Sequence, residues 1–130
     1  MSSFTSPLVV SPLSDGRRWR LVKPFTFHIG GQYSRHFISV PRDFLTDFAS
    51  VPRFFWFLPD WATYSKAPVL HDWLYHQKTT TRKRADALFL EAMLIDWRHH
   101  RSRYFIAYME YFAVRIFAWL AWKTKNTQKS

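Results

Sequence analysis

Four residues in one stretch of this 130-residue chain have the types and spacing for general-base chemistry. His71, Asp72 and Tyr75 lie in the run Val69–Tyr75, and Asp86 lies in Arg84–Phe89. If both runs are helical and antiparallel, a histidine, two aspartates and a tyrosine come together. On a helix, His71 and Tyr75 are i and i+4 and share a face, while Asp72 points about 100° away. The Lys78–Thr81 connection is short enough to make the two helices antiparallel neighbours. Asp86 can then accept hydrogen bonds from a ring nitrogen of His71 and from the Tyr75 hydroxyl. Such a bond fixes the imidazole tautomer and makes the other ring nitrogen the base, the division of labour in hydrolytic triads.

The 100° offset sends Asp72 to a different place, the preceding loop. Asp47 lies there, in Thr46-Asp47-Phe48-Ala49-Ser50. Asp47 and Asp72, with one or two loop carbonyls, make an all-oxygen ligand set of the kind hard cations such as calcium prefer. A transition metal on His71 is the competing metal reading; the other histidines lack a ligand spacing. The same residues also fit a buried polar network that ties helices together, with Asp47 as an N-cap or turn former.

The elements that must position these groups read as an α+β fold. Residues 1–45 are β-rich, an antiparallel meander. Leu8-Val9-Val10 and Arg17–Val22 are short strands, the second preceded by a turn at Ser14-Asp15-Gly16. Phe25, Phe27 and Ile29 alternate with Thr26 and His28, the period of a half-buried strand. Gly30-Gly31 supplies a hairpin turn, and Gln32–Val40 returns, stopped by Pro41. Residues 46–66 are irregular, because Pro41, Pro52, Pro59 and Pro68 interrupt any long helix. This loop is rich in Phe and Trp and must pack on something.

Residues 67–123 are helical. The first helix runs from Ala67-Pro68, a residue pair suited to a first turn, to about Gln77. The second runs from Arg82 to about Trp97, with candidate N-caps at Thr79-Thr80-Thr81. Its Ala85, Leu88, Phe89, Ala92 and Met93 recur at helical spacing, and Arg98-His99-His100-Arg101 suits its negative dipole end. The third runs from Arg103 to about Lys123 and is aromatic on most sides. Residues 124–130 are a tail. The length is that of one domain, 1–130.

Composition bounds the partners. With 19 basic and 9 acidic residues the formal charge is +10, which attracts nucleic acid, anionic lipid or an acidic protein surface. No recognised nucleic-acid motif accompanies the charge, which disfavours nucleic acid. Aromatic residues make up 20% of the chain, enough for a large core with some left to mark a partner or membrane interface. There is no cysteine, which excludes a disulfide framework, a thiolate metal site and a cysteine nucleophile. The N-terminus lacks the pattern of a signal peptide. No run of about 20 apolar residues is free of charge; the nearest, Tyr104–Trp122, is interrupted by Glu110 and Arg115. No transmembrane segment is expected.

Two resemblances attach to these residues. The run Pro41-Arg42-Asp43-Phe44-Leu45-Thr46-Asp47-Phe48-Ala49-Ser50-Val51-Pro52-Arg53, with Ala67–Tyr75 and Ala85-Asp86 to Met93, resembles a family of small phage and prophage proteins of unknown function. That resemblance covers nearly the whole chain, including Asp15-Gly16-Arg17 and the aromatic C-terminal helix. It implies synthesis in a host cytoplasm, with virion association as a further expectation. The His-Asp-x-x-Tyr run with a following helical Asp is similar, more distantly, to the core of the phospholipase A₂ fold, especially its compact bacterial branch. This likeness makes the first two helices a phospholipase A₂-like pair. It implies His71 as the base that activates water, Asp86 as its orienting acid and Tyr75 in support. Asp72, Asp47 and the Phe48 carbonyl would hold calcium. The chain departs from that fold in lacking its usual disulfides and in having no glycine after Gly31, so the familiar glycine-rich calcium loop is absent. The implied function is a calcium-dependent hydrolase of host membrane phospholipid esters on an anionic membrane surface. The alternative is a non-enzymatic virion or assembly component that contacts other phage structural proteins and in which the His-Asp-Tyr-Asp cluster is structural.

Overall fold

The computed structural model of the chain describes residues 2–16, 18–31, 35–47, 60–117 and 119–124. Six strands precede the helices: β1 (Ser3–Phe4), β2 (Val10–Pro12), β3 (Trp19–Leu21), β4 (Phe25–His28), β5 (Phe37–Val40) and β6 (Leu45–Thr46). The fold is α+β, with an antiparallel β-rich N-terminal part. Its strands divide between two sheets instead of running on as one meander, in the orders β1-β4-β5 and β2-β3-β6. Between β3 and β4 stands Pro24, which has no N–H with which to extend a ladder.

Each sheet does a separate job. In β4, Phe25 and Phe27 are buried and pair with Val40 and Ile38 of β5, while Thr26 and His28 are partly exposed. Phe4 of β1 packs against both phenylalanines. In the second sheet β6 pairs with β3, Thr46 opposite Trp19. The same edge is extended by hydrogen bonds from Leu21 N to Phe44 O (2.9 Å) and from Asp43 N to Leu21 O (2.8 Å). This places a fully buried Thr46 against the first long helix.

The helices are α1 (Asp60–Thr63), α2 (Lys66–Gln77), α3 (Arg82–Asp96), α4 (Arg103–Phe117) and α5 (Trp119–Thr124). The stretch expected as one helix from Arg103 to Lys123 comprises α4 and α5, on either side of Ala118, which lies outside the described residues. The short α1 falls in the stretch expected as irregular. Its Trp61 packs edge-on against Trp97 and stacks on His100 at 3.9 Å. Residues 48–59, most of the aromatic loop, lie outside the described residues.

Helix α2 is buried on most sides: Ala67, Pro68, Val69, Leu70, His71, Asp72, Leu74 and Tyr75 are all inaccessible. It packs against α3, β6 and α5. The α2–α3 turn closes at Lys78, whose left-handed backbone (φ 55°) lets its N–H bond Leu74 O at 3.0 Å. Thr81 then caps α3 by accepting from Arg84 N at 3.1 Å. Arg98, just past α3, donates to Ile95 O at 3.3 Å, as a cation at that helix end should.

The start of α2 is capped from a distance. Ser65 makes no side-chain cap bond; its hydroxyl accepts from Trp97 Nε1 at 3.0 Å. Asp96, the last residue of α3, supplies the missing acceptor: its Oδ2 takes Lys66 N at 2.8 Å and Ala67 N at 3.2 Å. A carboxylate facing unpaired N–H groups at a helix start also complements the dipole there. Asp96→Ala should therefore lower unfolding free energy by roughly 1–2 kcal/mol in urea titration. A change within error would mean that Asp96 contributes no cap.

Helix α4 carries a buried carboxylate, Glu110, whose Oε1 has no hydrogen-bond partner among the described residues. Burial pushes its pKa from the ordinary 4.5 up to about 7, making it a weaker acid. Between those values the folded chain holds a proton that the unfolded chain has released, so stability falls as pH rises through this window. Above about pH 7 the full penalty applies; below about pH 4.5 it vanishes. Glu110→Met, which removes the charge and keeps the shape, should raise stability at pH 8 by up to about 3 kcal/mol and have a much smaller effect near pH 4.5. Urea titrations at the two pH values measure the difference.

Candidate active site

The antiparallel α2–α3 pair brings His71, Tyr75 and Asp86 together. Asp86 is fully buried on the inner face of α3. Its Oδ1 lies 2.8 Å from His71 Nε2 and accepts the Tyr75 hydroxyl at 2.6 Å. The imidazole packs against two rings, with centroids 4.2 Å from Tyr75 and 4.3 Å from Phe89, the latter nearly parallel. Tyr75 in turn meets Trp122 of α5 edge-on. These contacts limit rotation of the imidazole about its side-chain bonds.

The electrostatics of the group favour an ionised Asp86. Burial alone pushes the Asp86 carboxyl up. The hydrogen bond and charge of His71 oppose that effect, as do bonds from Tyr75 and Arg115, and together they hold it below the usual carboxylate range. The Tyr75 phenol is pushed well above its ordinary range by burial and by the neighbouring carboxylate. It therefore stays protonated and donates. With Asp86 ionised, His71 Nε2 is the donor in the shared bond.

Two arginines at this carboxylate escaped the spacing argument. Arg115 of α4 donates to Asp86 Oδ2 at 2.9 Å, and Arg82 Nε lies 3.9 Å from the same oxygen. Arg82 also bonds the carbonyls of Val114 and Arg115, both at 2.6 Å, tying α3 to the last turn of α4. Arg82 and Asp86 are i and i+4, a signal readable in the sequence. Arg115 stood out only as a charge interrupting an apolar run; its partner depends on how α4 packs.

Asp72, one position after His71, faces elsewhere. Its Oδ2 accepts the Thr46 hydroxyl at 2.8 Å and the Asp47 backbone N–H at 3.2 Å, and its Oδ1 is 3.6 Å from His76 Nε2. The Thr46-Asp47 segment and Asp72 are thus adjacent. Phe48, expected to offer a carbonyl, lies outside the described residues. Among the described residues no group of three or more His, Cys, Asp or Glu is placed to hold a metal ion. A cation here would rely on hydroxyl and backbone oxygens around the Asp72 carboxylate. That all-oxygen chemistry suits calcium and not a transition metal. His76 is i+4 from Asp72, and this proximity was legible from spacing.

Residues 19–114 match a family described as a protein of unknown function (DUF1353). No curated protein and no solved structure matches the chain.

Asp86→Asn puts a neutral amide where His71, Tyr75 and Arg115 converge, leaving a guanidinium without its counter-charge. The variant should lose about 3–5 kcal/mol in urea titration at pH 7, against about 1–2 kcal/mol for Tyr75→Phe. Because folding lowers the Asp86 pKa below the usual 3.8, its contribution is present above that pH and is lost as pH falls through the folded value. The gap between wild type and Asp86→Asn should therefore narrow in acid. Equal losses for the two variants at pH 7 would remove Asp86 from the centre of the network.

Proposed function

This chain belongs to the DUF1353 family, and within it we propose a phage-encoded, calcium-dependent phospholipase A₂-like ester hydrolase acting on host membrane phospholipid. One observation carries the reading. A single buried carboxylate oxygen, Asp86 Oδ1, is within bonding distance of both His71 Nε2 and the Tyr75 hydroxyl. A histidine oriented through Nε2 by an ionised carboxylate is suited to act as a base through its other ring nitrogen.

In this reading His71 Nδ1 removes a proton from a water molecule as its oxygen attacks the ester carbonyl carbon. The C–O bond to the lysophospholipid then breaks, and His71 returns the proton to the leaving alcohol oxygen. Asp86 stays ionised and stabilises the imidazolium formed between these steps. Tyr75 shares Asp86 Oδ1 and holds its position. Asp72, Asp47 and the Phe48 carbonyl are the proposed calcium ligands. Calcium, when bound, supplies positive charge facing the carbonyl oxygen where negative charge develops.

Arg115 favours a second reading. Its bond to Asp86 Oδ2 makes the carboxylate a junction of α2, α3 and α4, which suits a structural knot as well as a catalytic pair. In that reading the protein is a non-enzymatic virion or assembly component and contacts other phage structural proteins.

The test uses a short-chain phospholipid dispersed as monomers, so that no membrane surface is needed. The purified protein in millimolar calcium should release fatty acid and should stop in excess chelator. His71→Gln should lower kcat by about 10²-fold or more. Tyr75→Phe should lower it less and retain calcium dependence. No release above a no-protein control, with His71→Gln indistinguishable from wild type, would leave the structural reading. Copurification with particles at fixed stoichiometry would then support it.

A further inference from the structure

Helix α4 is turned inside out relative to an ordinary surface helix. Its described exposed residues are Tyr104, Phe105, Tyr108, Phe112 and Ile116, and none is charged. None of its charged residues is exposed: Glu110 is buried, Arg103 and Arg115 are partly buried, and the Arg115 guanidinium is bonded to Asp86. Phe105 is 71% exposed, Phe112 58% and Ile116 60%. At 100° per residue the five exposed positions fall within an arc of about 120°, and 15 residues make a stripe about 22 Å long. After Ala118, α5 adds Trp119, also 50% exposed.

The exposed charges that flank this stripe along the chain are cationic. Between residues 82 and 123 the exposed charged residues described are Lys83, Arg84, Arg98, Arg101 and Lys123, all basic. Two aromatic rings carry cations above them: the Arg103 guanidinium lies 4.5 Å from the Tyr104 centroid, and Lys123 Nζ lies 5.0 Å from that of Trp119. An apolar stripe beginning at a tyrosine with a cation on its ring, and followed by a tryptophan paired likewise, matches the chemistry of a headgroup boundary. There the rings sit at the acyl edge and the long basic side chains reach anionic groups. No described helix is long and apolar enough to cross a membrane, so the stripe would lie in the plane of the surface.

We propose that the outer face of α4 docks the protein onto an anionic phospholipid bilayer. Charge decides against a second copy of the chain as the occupant. Two such faces, each with Arg103 and Lys123 at its aromatic rings and each on a chain of formal charge +10, repel one another. The inference rests on the surface alone and holds whether or not His71 performs hydrolysis.

The test is cosedimentation of the full-length protein with vesicles of ether-linked phospholipid in chelator, conditions under which no ester is cleaved. Vesicles of phosphatidylglycerol and phosphatidylcholine in equal parts should bind the protein at least about tenfold more tightly than phosphatidylcholine alone. The triple variant Phe105→Gln, Phe112→Gln, Ile116→Gln should bind the anionic vesicles at least about tenfold more weakly. Its circular dichroism and melting temperature should be unchanged, because the three side chains are exposed. Absence of wild-type binding, equal binding to the two vesicle types, or binding unaltered in the triple variant would each overturn the proposal. So would a concentration-dependent dimer, or incorporation into phage particles, that the triple variant abolishes while vesicles are ignored; the face would then belong to a second copy or to another protein. Activity on monomeric substrate without vesicle binding would overturn docking alone, and vesicle binding without activity would overturn hydrolysis alone.

Discussion

A carboxylate removed from water must be met by donors, and Asp86 is fully buried. Much of the helical arrangement follows from that requirement. His71 and Tyr75 reach it from α2, Arg115 from α4, and Arg82 lies one turn away on its own helix. A slip of one residue between α2 and α3 would leave a buried charge facing apolar side chains, at a cost of several kcal/mol. The ion cluster thus selects a register among the many that apolar packing of Leu70, Leu74, Leu88 and Phe89 would tolerate. The same network orients the imidazole on which the proposed chemistry depends.

Adjacent positions on α2 serve different neighbours because the helix is buried on most sides. His71 turns to α3 and Asp72 to β6, where Thr46 and the Asp47 N–H meet its carboxylate. The second sheet therefore acts as a scaffold for the site: β6 is held by β3, and its end delivers the Asp47 loop to the helix. Asp96 completes the placement from the opposite end of the pair, holding the first N–H groups of α2. The two ends of the α2–α3 pair are closed by different means, a left-handed turn at Lys78 and a carboxylate at Asp96.

Helix α4 shows the same principle with the faces exchanged. Arg115 is bonded to Asp86 and Glu110 is buried, so two of the three charges on the helix are not offered to solvent as they would be on an ordinary surface helix. The outer face is left to tyrosine, phenylalanine and isoleucine. Burying Glu110 lessens stability near neutral pH, a cost that an ordinary solvent-facing helix would have no reason to carry.

The sequence alone determined the local pieces. Alternation fixed β4, the spacing of Ala85, Leu88, Phe89, Ala92 and Met93 fixed α3, and i, i+4 geometry put His71 and Tyr75 on one face. A short turn then left Asp86 little choice of neighbour. What local pattern could not supply were partners set by packing over long separations. The division of six strands into two sheets, Asp96 as the cap of α2, Thr46 on Asp72 and Arg115 on Asp86 all join segments about 25 or more residues apart or depend on strand order. Periodicity says which face of an element is apolar, but not which other element covers it. Arg115 illustrates the limit: along the chain it interrupts an apolar run, and only the placement of α4 against α3 makes it a counter-ion.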